Sequence, residues 1–257
     1  MNTSDRKPLI AGNWKLNLSS KKACELARAI ADGSAESQCD IALFPTYLAA
    51  TAVAEELKGS HVRVGVQDVY DAEWGAYTGE ISPAACLAEG IGWAIVGHSE
   101  RRHIIGEQEE LLVKKARAAL EAGMTVIYCV GETETEREQG RTFEVLSCQV
   151  RDGVLKAAPD IPADIIVAYE PVWAIGTGKT ATPEIAQQAH EHIRGLVSKH
   201  VSQQKAELLR ILYGGSAKPA NIAGLMEKKD IDGGLVGGAS LDAESFLEII
   251  RYSRSDL

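Results

Sequence analysis

Along the chain, short apolar runs rich in β-branched residues alternate with longer amphipathic segments, and turn residues separate the two. This alternation is that of parallel-sheet α/β proteins. Strands are predicted to begin at Leu9, Ile41, Val62, Trp93, Thr125, Ile165, Leu208 and Gly234. Helices are predicted near residues 21–31, 48–57, 83–89, 107–121, 136–156, 183–201, 219–227 and 243–252. On the helix near 107–121, Leu111, Lys114, Lys115 and Ala118 put charge and small apolar groups on opposite sides, as a shell helix requires. The segment 67–81 breaks the pattern. Its Gly, Asp and turn residues suit neither element, and its length for an α/β connection marks a functional loop.

About eight strand and helix pairs are what a closed (β/α)8 barrel needs. A doubly wound sheet shares the alternation, but its dinucleotide-binding form requires G-x-G-x-x-G after the first strand. Here that strand leads into Ala11-Gly12-Asn13-Trp14-Lys15, which favours the barrel. The expected organisation is one barrel domain over residues 1–257, with residues 1–8 as a short N-terminal tail.

Composition changes this picture little. The 257 residues are 45% hydrophobic and 25% charged, which is ordinary globular usage. The start is polar and lacks the apolar core of a secretory signal, and no stretch is apolar enough to cross a bilayer. Five cysteines without a Cys-x-x-Cys pair indicate neither a disulfide framework nor a zinc site, so a reducing cytoplasm is expected. The net charge of −9, with no dense Lys/Arg stripe, argues against nucleic acid as a partner. An anionic substrate would need a locally positive site.

In a barrel, groups at the carboxyl ends of the strands face a common mouth, and that filter selects the candidates. Asn13 and Lys15 follow the first strand, His98 the fourth and Glu170 the sixth. Glu170 ends an apolar run and precedes Pro171, which suits either a general base or a solvated carboxylate at a strand end. His98 opens Ser99-Glu100-Arg101-Arg102, which can begin a helical turn. The positive end of a helix opposes protonation, so a neutral imidazole could donate to a substrate oxygen; a structural donor is the other reading. Lys15 is the cation that a phosphate or oxyanion would need, or an exposed surface lysine. Tyr213-Gly214-Gly215-Ser216 and Val236-Gly237-Gly238-Ala239 follow strands seven and eight, where barrels present backbone N–H groups to phosphate. Residues 171–180 read as a lid with stiff ends and glycines near its tip. Their Gly178-Lys179-Thr180 is not a P-loop, because Trp173 stands where that motif requires glycine. His190 and His192 are too close in sequence to share a metal on one helix face, and Cys129 reads as core packing.

Asn13-Trp14-Lys15, Val96-Gly97-His98-Ser99-Glu100-Arg101-Arg102, the run from Ala168 to Gly178 and Tyr213-Gly214-Gly215-Ser216 together resemble the triosephosphate isomerase family over essentially the whole chain. The resemblance implies a TIM barrel that interconverts dihydroxyacetone phosphate and D-glyceraldehyde 3-phosphate through an enediolate, in glycolysis and gluconeogenesis, with no metal or cofactor. It also implies Glu170 as the proton shuttle, neutral His98 serving the oxygens, Lys15 stabilising negative charge and Asn13 contacting substrate. Gly176, Ser216, Gly237 and Gly238 would hold the phosphate, and Glu100 would be an accessory group near Lys15. Family members are typically homodimers in which a loop matching 67–81, here with Thr78, enters the neighbour's site. The sequence departs from many members at Asp68, where they carry asparagine. Another phosphate-binding barrel, such as an aldolase or synthase, would share the glycine clusters but need a different catalytic set. A non-catalytic scaffold or adhesin would be expected to have lost Lys15, His98 or Glu170.

Overall fold

The computed structural model describes residues 6–175 and 180–252. Strands β1 (Leu9–Asn13), β2 (Asp40–Phe44), β3 (Arg63–Val66), β4 (Trp93–Val96), β5 (Thr125–Val130), β6 (Ile165–Tyr169), β7 (Ile211–Tyr213) and β8 (Gly233–Val236) pair in parallel in chain order. Strand β8 pairs back onto β1 and closes the barrel. The surrounding helices include α1 (Ser20–Gly33), α2 (Tyr47–Glu56), α3 (Pro83–Ala88), α4 (Glu109–Ala122), α5 (Glu134–Glu138), α6 (Thr142–Gln149), α7 (Leu155–Ala157), α8 (Pro183–His200), α9 (Gln203–Leu208), α10 (Pro219–Met226) and α11 (Ala243–Ile250).

The strands are buried on both faces, and alternate residues serve two different cores. Leu9, Ala11, Phe44, Ile95, Ile127, Cys129, Ile166, Ala168, Leu212 and Leu235 fill the barrel interior. Ile10, Ile41, Leu43, Val126, Tyr128, Val167, Tyr169 and Tyr213 face the helices. Phe44 occupies interior space that a side chain at Gly65 would take, since a Cβ there would strike its ring. Continuing the inward phase past the strand ends brings Asn13, Glu170, Gly214 and Gly237 to the mouth, one step above Ala11, Ala168, Leu212 and Leu235.

Seven of the eight strands begin within one residue of expectation. The exception is the seventh, where the apolar run from Leu208 is helical at its start. Ser202 accepts from the Lys205 N–H to cap α9, Leu208 is exposed, and β7 begins only at Ile211. The helix expected over 136–156 is divided. A reciprocal Thr133–Glu136 capping box opens α5, and Gly140, with φ of 70°, turns the chain before α6. A π-helical turn, Val150–Val154, then joins α6 to α7. Arg6 forms an ion pair with Asp232 at 2.6 Å and donates to the Glu207 and Lys229 carbonyls, which ties residues 6–8 to the barrel.

The polarity expected of α4 is wrong at Lys115. The buried side is Leu112, Val113, Lys115, Ala116 and Ala119, and Lys115 Nζ lies 2.7 Å from Asp68 Oδ2 and 2.5 Å from Glu107 Oε1. A lysine is tolerated inside because two carboxylates meet it. Arg101 joins the cluster at 3.0 Å from Asp68 and 2.6 Å from Glu107. Asp68 therefore does not simply replace an amide: it is one of two carboxylates in a four-membered charge cluster at the base of the 67–81 loop.

Burial pushes the Asp68 carboxyl up to about 6 despite the pull of Lys115 and Arg101. Between about pH 4 and that value the folded chain holds this proton more tightly than the unfolded chain, so the group's contribution to stability falls as pH rises through the window. Asp68→Asn removes this titration, so the stability of the variant relative to the parent is expected to rise from pH 4 to pH 8. Denaturant unfolding at both pH values checks this, and a gap independent of pH would contradict it.

Candidate active site

Glu170 leaves β6 in the inward phase, and its carboxylate is buried at the barrel mouth. Oε2 accepts the Ser99 backbone N–H at 2.7 Å. Oε1 lies 2.9 Å from His98 Nε2, yet it receives no hydrogen bond of acceptable geometry. One oxygen thus anchors the carboxylate, and the other is a desolvated acceptor left unspent. The approach is close because neighbouring positions carry glycine: a Cβ at Gly131 would run into the Glu170 carbonyl, and one at Gly214 would lie 2.7 Å from Glu170 Cγ.

His98 follows β4 after Gly97, whose φ of 73° turns the imidazole out of the strand's alternation and toward Glu170. A π-helical turn, Arg101–Ile105, starts here, and the Arg101 and Arg102 N–H groups donate to the His98 carbonyl. The Glu100 N–H donates to Nδ1 at 3.2 Å, which requires that Nδ1 carry no proton; the ring proton of the neutral imidazole then sits on Nε2. Burial lowers the histidine's pKa, but the charges of Glu170 and Glu100 outweigh it and leave it above the ordinary value. The helix end expected to keep the ring neutral is therefore opposed in the resting state. For Glu170, burial pushes up, while His98, the Ser99 N–H and Lys15 together hold the carboxyl below its usual range. The two titrate as a pair, and a proton gained by Glu170 removes what raises His98.

Lys15 adopts φ of 51°, a left-handed conformation costing roughly 1–3 kcal/mol in a residue other than glycine. Local bonds hold it there: its N–H donates to Asn13 Oδ1 at 3.0 Å, and Gln67 Nε2 donates to its carbonyl at 2.8 Å. The strained turn projects the ammonium to 2.6 Å from Glu100 Oε1. Glu100 Oε2 stands 3.5 Å from His98 Nδ1, so the carboxylate that meets the cation also places its charge beside the imidazole.

A cavity of about 300 Å³ opens above these groups, lined by Asn13, Lys15, His98, Ser216, Gly237 and Gly238 among others. Gly237 lies against the Lys15 side chain, where a Cβ would come within 3.9 Å of Nζ. A short 3-10 helix, Gly238–Leu241, begins at this edge of the cavity, beside the ammonium, and the Ser240 N–H donates to the Gly237 carbonyl at 2.8 Å. Gly176, and the lid tip through Lys179, lie outside the described residues. The lid's first part is a 3-10 turn, Val172–Ala174.

Sequence reasoning passed over Glu132, Gln67 and the Ser99 amide. Glu132 is fully buried just beyond β5; it accepts from Tyr169 Oη at 3.1 Å and Trp173 Nε1 at 2.9 Å, fastening the start of the lid to the barrel. Both Glu132 and Gln67 stand just past strand ends, so the strand-by-strand filter held the signal. The Ser99 contribution comes from the backbone and leaves no residue-type signature. Thr78 is exposed, far along the 67–81 loop and outside this cluster.

Gly214→Ala is expected to push the Glu170 side chain away from Ser99, because the added carbon meets Cγ at 2.7 Å with the Tyr169 carbonyl close behind at 3.1 Å. A structure of the variant checks this. A carboxylate still bonded to the Ser99 amide would show that the glycine is not what fixes it.

Comparison with known proteins fits this geometry. A family model described as triosephosphate isomerase matches residues 8–253. The chain is 49% identical over 249 residues to a triosephosphate isomerase of Geotalea uraniireducens, covering 96% of this chain and 99% of the relative. It is 47% identical over 250 residues to one of Endomicrobium trichonymphae, covering 97% and 100%, and 48% identical over 248 residues to one of Geobacter metallireducens, covering 96% and 99%. By the match of the family model across nearly its whole length, the chain belongs to the triosephosphate isomerase family.

Proposed function

We propose that this one-domain barrel is a triose-phosphate isomerase that interconverts dihydroxyacetone phosphate and D-glyceraldehyde 3-phosphate by moving a proton between adjacent carbons. The observation that carries the reading is the buried, unbonded Oε1 of Glu170, 2.9 Å from His98 Nε2, beside a cavity with a cation. Substrate enters with its phosphate against Ser216, Gly237 and Gly238 and its oxygens toward Lys15 and His98, with Asn13 on the wall between. Glu170 takes the carbon-bound proton on Oε1, giving an enediolate. His98 donates from Nε2 to the developing oxyanion, and the Lys15 ammonium offsets its charge. Protonation of Glu170 cancels the charge that raised His98, so the imidazole works in its neutral form at that step. Glu170 then returns the proton to the neighbouring carbon. Glu100 positions Lys15 and His98, and Gly176 is assigned to the phosphate by resemblance alone.

Leu16, Trp74 and Tyr77 are exposed on the loops after β1 and β3, Leu48 in the first turn of α2 and Ile105 at the end of the π-helical turn after β4. So many large apolar groups on adjacent segments support association with a second copy through the 67–81 loop. We place the enzyme in the cytoplasm, in line with a sequence whose five cysteines include no Cys-x-x-Cys pair; no described helix is long and apolar enough to cross a membrane.

Glu170→Asp keeps the base but withdraws it by about a methylene, and turnover is expected to fall about a hundredfold. Glu170→Gln should abolish it. A coupled assay of glyceraldehyde 3-phosphate isomerisation reads both, and an unchanged rate would refute Glu170 as the base. For assembly, Thr78→Arg should weaken self-association in sedimentation, and a variant as dimeric as the parent would count against the loop as interface.

A further inference from the structure

We propose that Arg102, with Glu109 and Tyr128 behind it, is a positioning relay that sets the aim of His98. The proposal rests on the reading of His98 as the group that serves the substrate oxygens.

Arg102 is buried, and its guanidinium spends its donors on the backbone around that histidine. Nε donates to the Gly97 carbonyl at 2.8 Å, and Nη2 donates to the Cys129 carbonyl of β5 at 2.9 Å. The Arg102 backbone N–H donates to the His98 carbonyl at 3.1 Å. The carbonyls of Gly97 and His98, on either side of the Cα that carries the imidazole, are thereby held by one side chain and its own amide. The fork also ties β4's exit to β5, so the turn cannot rotate without breaking contact with the neighbouring strand. Gly97 is the position most in need of this, because its φ of 73° lies in a region that glycine leaves freely in either direction.

The fork is itself oriented. Glu109 accepts from Nη1 at 2.7 Å and from Nη2 at 3.2 Å, and Tyr128 Oη donates to Glu109 Oε1 at 2.6 Å. The remaining element is Gly153, in the π-helical turn between α6 and α7: a Cβ there would run into Glu109 Oε1 and lie 2.7 Å from Tyr128 Oη. The π-helical turn that carries Arg102 and the one that carries Gly153 thus meet at this bidentate pair. Such turns are uncommon and recur near functional sites. None of these groups lines the cavity.

The expected signature is a loss in turnover without a loss in substrate affinity. Arg102→Lys keeps the charge but cannot hold both carbonyls and the carboxylate, and kcat should fall about tenfold or more with KM within about twofold. Tyr128→Phe removes only one hydroxyl, guards against misfolding, and should lower kcat by a smaller factor in the same way. Each substitution is also made in a His98→Gln background. The relay predicts that Arg102→Lys then costs nothing further, because the group it aims is gone. Equal losses in both backgrounds, or a rise in KM matching the fall in kcat, would overturn the relay while leaving His98 in place. Full activity of His98→Gln alone would overturn the underlying reading.

Discussion

The site depends on one buried hydrogen bond, from the Ser99 amide to Glu170 Oε2, that joins the exit of β4 to the exit of β6 across the barrel mouth. An ionised carboxylate in this apolar position needs compensation, and the amide supplies it at one oxygen only. The other oxygen stays desolvated and without a hydrogen bond of acceptable geometry, 2.9 Å from the His98 Nε2. Fully satisfied, the carboxylate would be a poor base; wholly unsatisfied, it would be protonated or drawn to solvent. Much of the surrounding construction preserves this intermediate state. Glycines at 131 and 214 let neighbouring strands close on it, Gly97 turns His98 toward it, and Glu132 holds the lid's first turn beside it.

Electrostatics concentrates the opposite charge in a chain that is acidic overall. With a net charge of −9, the protein repels a phosphate ester at long range, so attraction must be local. The cation at the cavity is Lys15, held in a strained turn by Asn13 and Gln67. Glu100 beside Lys15 prevents an isolated cation without removing it from the cavity. The strain at Lys15 is paid by bonds whose only evident result is the direction of its side chain.

Most of the barrel was legible because each strand is a short apolar run, and the inward phase carried past its end names Asn13 and Glu170 directly. His98 needed the motif as well, since the positive φ at Gly97 breaks that phase. What the pattern misread were places where long-range contacts override local character. Leu208 looks like a strand start but is capped into a helix, and Lys115 looks like a surface residue but is buried by carboxylates remote in sequence. Backbone donors, such as the Ser99 amide, were invisible because any residue type can supply them. The fork of Arg102 was hidden within a polar run, Ser99-Glu100-Arg101-Arg102, that reads only as the start of a helical turn.

The central claim is that a single carboxylate takes a proton from carbon and returns it to the adjacent carbon. The most direct measurement is isomerisation of dihydroxyacetone phosphate in heavy water, with the glyceraldehyde 3-phosphate product examined by NMR. The account predicts deuterium at carbon 2 of part of the product, because a proton held on Glu170 can exchange with solvent before it is returned. Product with no deuterium at that carbon under any condition would indicate direct hydride transfer and contradict the account.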